Sequence, residues 1–162
     1  MFQVLSPKED VLKEAAELGI EKEDADLLSN FVNSGLLMKE QVMSDEYAEI
    51  KELFLDSLSY LAESPAKAVY FFEKNIIPKL SKKADTKFYL DMIVLAFKDI
   101  VSFKEKQTIK LSSYVKLIQP LAGKLKHIED SLVEIMKARS QLDLNISTAL
   151  LLEHVVAYIV KE

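Results

Sequence analysis

The chain has 162 residues, 49% of them hydrophobic and 29% charged, with a formal net charge of -5. That size and mixture suit one compact domain, or one domain with a small appended module; they exclude disorder, and the negative sign disfavours wholesale coating of nucleic acid. There is no cysteine, which excludes disulfides, thiolate catalysis and cysteine-based zinc sites and points to a reducing cytoplasm.

Three glycines and four prolines leave little punctuation for strands and hairpins, so the whole chain reads as helical. The opening MFQVLSPKED has no basic stretch followed by a long apolar core, hence no visible signal peptide. Ser6-Pro7-Lys8-Glu9 is a capping-box pattern with Pro at the first helical position, and Gly19 closes that helix. A second helix is predicted from about Lys22 to Asn33, with Ala25, Leu28, Phe31 and Val32 at helical spacing and Gly35 as its end. After the short apolar piece LLMKEQVM the scale changes. Ser44, Asp45 and Glu46 load the first turn of a long helix whose stripe is Tyr47, Ile50, Phe54, Leu58 and Leu61. A domain boundary is therefore expected near Val42 to Ser44, dividing residues 1–43 from 44–162.

Ser64 and Pro65 start the next helix, and Pro78 should end or kink it. The stretch KLSKKADTK reads as a basic, solvated loop, in which Lys79, Lys82, Lys83 and Lys87, with Lys74 nearby, form one cluster. From about Asp85 to Glu105 runs a helix apolar on two faces, Tyr89, Met92, Ala96 and Ile100 on one and Phe88, Leu95 and Phe103 on the other, which places it in the middle of a bundle. A helix from about Ser112 meets Pro120 and Gly123, which argue for a bend or break. The stripe after Lys124 is Leu125, Ile128, Leu132, Ile135, Arg139 and Leu142. Asn145 is the expected cap of the terminal helix, an antiparallel neighbour of the one before it. That last helix is apolar nearly all round, since only Glu153 and His154 interrupt Ala149 to Val160. It must be covered, either inside its own bundle or by a neighbouring subunit. At 17 residues, with several polar ones, the run from 144 to 160 is short for a membrane span.

Chemistry is sought and mostly not found. Gly19, Gly35 and Gly123 are isolated, so no phosphate-cradling loop exists. His127 and His154 lack metal-binding spacing and read as surface and edge positions. Pairs such as Glu23-Asp24, Asp45-Glu46 and Glu129-Asp130 fall in first turns, where they favour the helix dipole. No cofactor, metal, small-molecule substrate or catalytic residue is expected. Arg139 lies on an apolar line, and a guanidinium there needs an edge or an acid; packing the last two helices back on each other suggests Glu153 as its partner.

Three stretches taken together, FKDIVSFK, MKARSQLDLN and NISTALLLEHVVAYI, resemble the C-terminal portion of bacterial DNA polymerase III clamp-loader subunits of the delta prime family. Phe97-Lys98-Asp99-Ile100 matches that family's aromatic-Arg-Asp pattern with Lys98 for Arg. Asn145-Ile146-Ser147 with Leu150-Leu151-Leu152-Glu153 matches its last helix, with Ser147 for Asn. The opening FQVLSPKEDVLKEAAELGIEKEDADLLSNFVNSG is similar to the small helical lid that follows the ATPase core. The resemblance implies an all-α fold, a collar-like helical bundle over 44–162 preceded by a lid remnant over 1–43. It implies a non-catalytic assembly module that meets the delta and tau/gamma subunits through the collar and meets DNA and the sliding clamp only indirectly. Phe97, Lys98, Asp99, Arg139, Asn145 and Glu153 are its candidate structural or interface residues. A free-standing helical adaptor that binds a peptide or partner helix is the alternative.

Overall fold

The computed structural model describes residues 7–80, 82–144 and 146–161, all helix, turn or coil with no strand among them. Ser6 and Asn145, two expected caps, lie outside the described residues. The N-terminal part is α1 (Pro7–Glu17), α2 (Lys22–Leu28) and α3 (Gly35–Val42). The bundle comprises α4 (Asp45–Glu63), α5 (Pro65–Phe71), a π segment (Phe72–Ile76), α6 (Ile77–Lys79), α7 (Lys83–Lys104), a 3-10 turn (Ser112–Tyr114), α8 (Val115–Lys124), α9 (Ile128–Gln141) and α10 (Thr148–Ile159).

Serine does most of the capping. Ser34, Ser44, Ser64 and Ser147 each accept a hydrogen bond from the backbone N–H three residues on, which satisfies one of the orphan donors of a first turn. Gly19 takes a left-handed φ of 79° where α1 ends, a conformation that glycine adopts without steric cost.

Gly35 corrects the expected second helix. That helix stops at Leu28, because Ser29 Oγ and Asn30 Nδ2 both donate to the Asp26 carbonyl and turn the chain there. Gly35 then opens α3 instead of closing α2. Its N–H donates to Glu14 Oε2 at 2.7 Å, and an added Cβ would stand 2.6 Å from the Glu14 Cβ. The glycine is what lets α1 and α3 touch.

Pro78 has its effect upstream. It cannot donate to the residue four before it, and the helix answers with a π turn, in which the Ile77 N–H reaches the Phe72 carbonyl. The basic loop is shorter than expected: α7 begins at Lys83, and Leu80 is buried. The Thr86 hydroxyl ties the connection down by donating to the carbonyls of Leu80 and Lys82. No break occurs at Pro120 and Gly123, both of which lie inside α8.

α7 is central as its two apolar faces require. It packs against α4, α8 and α9 and buries Tyr89, Leu90, Met92, Ile93, Ala96, Phe97 and Ile100. One continuous core extends from Val11 on α1 to Ile159 on α10. On α9 the buried line is Ile128, Ser131, Ile135 and Ala138, continuing to Leu142, so Leu132 and Arg139 flank it instead of lying on it. α10 is covered within the chain: Leu151, Leu152, Val155, Val156 and Ile159 are buried against α9, α5, the π segment and α6. Its outer face presents Leu150, Glu153, His154 and Ala157 to solvent. The cap of α10 is Ser147, whose hydroxyl accepts from the Leu150 N–H.

Candidate assembly surface

Phe97, Lys98 and Asp99 sit on consecutive positions of α7, so they point in three directions. Phe97 is fully buried in the core. Asp99 is 2% exposed, and its two carboxylate oxygens accept from the N–H groups of Lys110 (2.9 Å) and Leu111 (2.8 Å). An ionised acceptor facing two adjacent amides is a strong arrangement. It pins the segment after α7 to the central helix. Lys98 is the member left exposed, on a polar cleft of about 270 Å³ shared with Asn30, Asp91 and Lys110.

The segment that Asp99 pins carries the N-terminal helices. Asp26 on α2 accepts from the hydroxyls of Ser112 (3.3 Å) and Ser113, and the Tyr114 hydroxyl donates to the Glu23 carbonyl at 3.0 Å. Asp24 accepts from the Tyr47 hydroxyl at 2.7 Å and from Lys51 Nζ at 2.5 Å, both on α4. Asp24 and Asp26 are only 8% and 6% exposed. Glu23 and Asp24 lie in the first turn of α2 as expected, and Glu23 is exposed, while Asp24 is buried toward α4 and serves the packing. Burial, reinforced by the bond to Asp24, raises the Tyr47 hydroxyl well above the ordinary tyrosine range. Tyr114 is raised too, by burial and then by the carboxylates around it. Next to these bonds Phe31 meets Phe88 edge-on at 5.5 Å.

Arg139 does not reach Glu153. Its Nε donates to Asp91 Oδ1 at 2.8 Å and its Nη2 to Asp91 Oδ2 at 3.4 Å, pairing α9 with α7. The α9–α10 register explains the difference. His154 Nε2 lies 3.0 Å from Glu134 Oε2, which puts residue 139 level with the first turn of α10, short of Glu153. Glu153 itself is on the solvent side. The hydrogen bond from His154 holds the Glu134 carboxyl below the usual carboxylate range. Lys87, expected in a solvated cluster, pairs with Asp143 in the α9–α10 turn.

The solvent side of α9 and the turn after it carries large apolar side chains among polar ones, Glu129, Asp130, Lys137, Ser140, Gln141 and Asp143. Val133, Met136, Leu144 and Leu150 are all exposed, the last by 62%. Val133, Met136 and Ser140 follow at spacings of three and four along one side of α9 and line a shallow depression of about 440 Å³ with Lys137 and Gln141. Val133 and Met136 therefore stand side by side as exposed apolar residues on α9, within about one turn of each other.

Over 96% of its length the chain aligns at 26% identity with a curated bacterial protein. It is similar to DNA polymerase III subunit delta' of Bacillus subtilis (strain 168). The alignment takes in the C-terminal half of that subunit, so the chain spans about half, 48%, of the length of the curated relative it matches. No family model matches the chain, and no solved structure does. The similarity to delta' runs through the N-terminal helices and the bundle alike. Among the described residues no group of three or more His, Cys, Asp or Glu could hold a metal ion, and no helix is long and apolar enough to cross a membrane.

Asp26, Asp91 and Glu14 are not singled out by the pattern of the sequence, and Asp24 is marked there only as a first-turn acid. Asp24 and Asp26 carried one usable signal: they alternate with Ala25 and Leu27 on a helix whose later residues are all apolar, so one of its faces had to bury a carboxylate.

Proposed function

We propose that this chain is a non-catalytic assembly module of a DNA polymerase III clamp loader, a delta prime-type subunit region in which residues 44–162 act as the collar and 1–43 as the lid. The observation that carries the reading is the alignment of nearly the whole chain with the C-terminal half of a delta' subunit. The exposed Val133, Met136, Leu144 and Leu150 support it by placing large apolar side chains at the surface of α9, α10 and the turn between them. In this role the partners are the delta and tau/gamma subunits, the setting is the cytoplasm, and DNA and the sliding clamp are engaged only through the assembled loader. The chain contributes packing surface and rigid orientation without covalent chemistry.

Phe97 and Asp99 act inside the module, one filling the core and the other holding the segment on which the N-terminal helices dock. Lys98, exposed on the same helix, is available to a neighbour.

Size-exclusion chromatography of the chain mixed with purified delta and tau/gamma subunits tests the reading. Co-elution is expected, and Met136→Lys with Leu150→Lys should abolish it while leaving the helical circular dichroism unchanged. Separate elution of the unaltered chain, together with binding to unrelated helical peptides, would favour a free-standing adaptor instead.

A further inference from the structure

A second surface, on the opposite part of the chain's sequence, has a different chemistry. Along α4, Asp45, Glu49, Glu52 and Asp56 follow at spacings of four, three and four, which sets four carboxylates in one row on the helix. Beside the row lies an open cleft of about 350 Å³, lined by Val42, Ala48 and Leu55 together with Tyr47 and the charged side chains of Asp24, Lys51, Glu52 and Asp56. Met43, next to Val42 at the end of α3, is 75% exposed. Most of the surface that lines the cleft is apolar, although four of its lining side chains are charged.

The charges are unbalanced. Between residues 45 and 56 there are five acids and one lysine. That lysine, Lys51, is turned inward, with its Nζ on Asp24 and 6.0 Å from the centre of the Tyr47 ring. Glu52 and Asp56 stand one turn apart as like charges, an arrangement that disfavours the helix unless a cation comes between them. Asp56 registers this: partial burial first and Glu52 second hold its carboxyl above the usual range, with Lys79 pulling the other way.

We propose that this face docks a cationic amphipathic helix of a protein partner, whose lysines or arginines pair with the carboxylate row while an apolar side chain enters the cleft between Val42, Ala48 and Leu55. Both parts of the surface are needed for that choice. A carboxylate row repels nucleic acid, and the carboxylates here are not grouped to hold a metal ion among the described residues, whereas a helix with cations at four-, three- and four-residue spacing and an apolar flank complements both the row and the mostly apolar lining. The inference does not rest on the clamp-loader reading, which uses the α9 and α10 surface.

Fluorescence anisotropy with a labelled synthetic amphipathic helix of Lys, Leu and Ala, about five turns long, and the whole chain tests this. Saturable binding is expected, weakening steeply as ionic strength rises. Glu49→Gln with Glu52→Gln should raise Kd about fivefold or more, and Ala48→Gln, which lays an amide over the cleft, should raise it about threefold. Glu129→Gln with Asp130→Asn on α9 should leave Kd within about twofold. These positions are exposed, and circular dichroism will show that each variant folds. Equal affinity in the α4 variants, equal loss in the α9 variant, undiminished binding of a peptide with its Lys and Leu positions scrambled, or tighter binding of a single-stranded oligonucleotide would each overturn the proposal. None of these outcomes alters co-elution with loader subunits, so the two readings fail separately.

Discussion

Where α2 meets the 3-10 turn and α4, buried Ala25, Leu27 and Leu28 are joined by a set of side-chain hydrogen bonds from carboxylates, hydroxyls and one lysine: Asp24 with Tyr47 and Lys51, Asp26 with Ser112 and Ser113, Tyr114 with the Glu23 carbonyl. Where α10 meets α9 and the α5 to α6 stretch, the buried contribution of α10 is five aliphatic side chains. The apolar seam gains free energy in proportion to area and tolerates small shifts. The polar seam gains little net, because each bond replaces one to water, but a shift of an ångström would strand a buried carboxylate. The first kind of seam supplies stability and the second fixes orientation. A module whose task is to hold neighbours at set angles would need both, and this chain puts the orienting seam between its N-terminal helices and its bundle.

The largest effect should come from the apolar side. Leu152 is fully buried, and Leu152→Ala should cost about 2–5 kcal/mol in urea-induced unfolding through lost transfer energy and the cavity left behind. A loss under about 1 kcal/mol would mean that α10 is not held as the structure has it, and the contrast between the seams would collapse. Asp99→Ala comes next at about 1–3 kcal/mol, since the Lys110 and Leu111 amides lose a charged acceptor in a buried place. Asp99→Asn should recover part of that loss, because its carbonyl oxygen can still accept one of the two bonds.

On the polar side, Asp26→Ala should cost about 1–2 kcal/mol and do so locally. Amide hydrogen exchange should quicken in α1 to α3 while α7 and α9 keep their protection. Uniform loosening of the whole chain would show that the N-terminal helices and the bundle are one cooperative unit. Alkaline pH probes the same region by a second route. Burial raises the Tyr47, Tyr89 and Tyr114 hydroxyls above the ordinary tyrosine value near 10. In the unfolded chain these groups ionise first as pH climbs, so their contribution to stability is complete below about pH 10 and declines above it. Unfolding midpoints measured on both sides of that value should fall, and Tyr89→Phe, which removes the most enclosed of the three, should fall less.

The helices, the central position of α7 and the antiparallel last pair were legible from periodicity, because apolar residues at spacings of three and four have one physical solution in a chain with three glycines. What stayed hidden depends on contacts between distant residues. Gly35 looks like any helix stop until Glu14 is seen 21 positions upstream against it. Asp99 was marked by resemblance alone, and its partners are backbone amides that no side-chain pattern advertises. Ser147, the cap of α10, is one of several cap-type residues before that helix, and residue type alone does not choose among them. The exposed face of α9 was missed because Val133 and Met136 are ordinary helix residues until the buried line is known to run through Ser131 and Ala138 instead.

Arg139 offers the finest division of the comparison, because it belongs to neither seam. Its side chain is 30% exposed and that of Asp91 is 36% exposed, so water screens much of their attraction. The geometry has both guanidinium donors on the two carboxylate oxygens, which favours the upper part of the range for exposed pairs, and a double-mutant cycle between Arg139→Ala and Asp91→Ala should give a coupling of about 0.5–1 kcal/mol. The matching cycle between Arg139→Ala and Glu153→Ala should give a coupling indistinguishable from zero, since the α9–α10 register keeps those two side chains apart. A measurable Arg139–Glu153 coupling would require α10 to slide toward α9 by about a turn, which would also break the His154 contact with Glu134 and lift Leu152 from the core. The smallest energy in the molecule is thus tied to the register on which the largest depends.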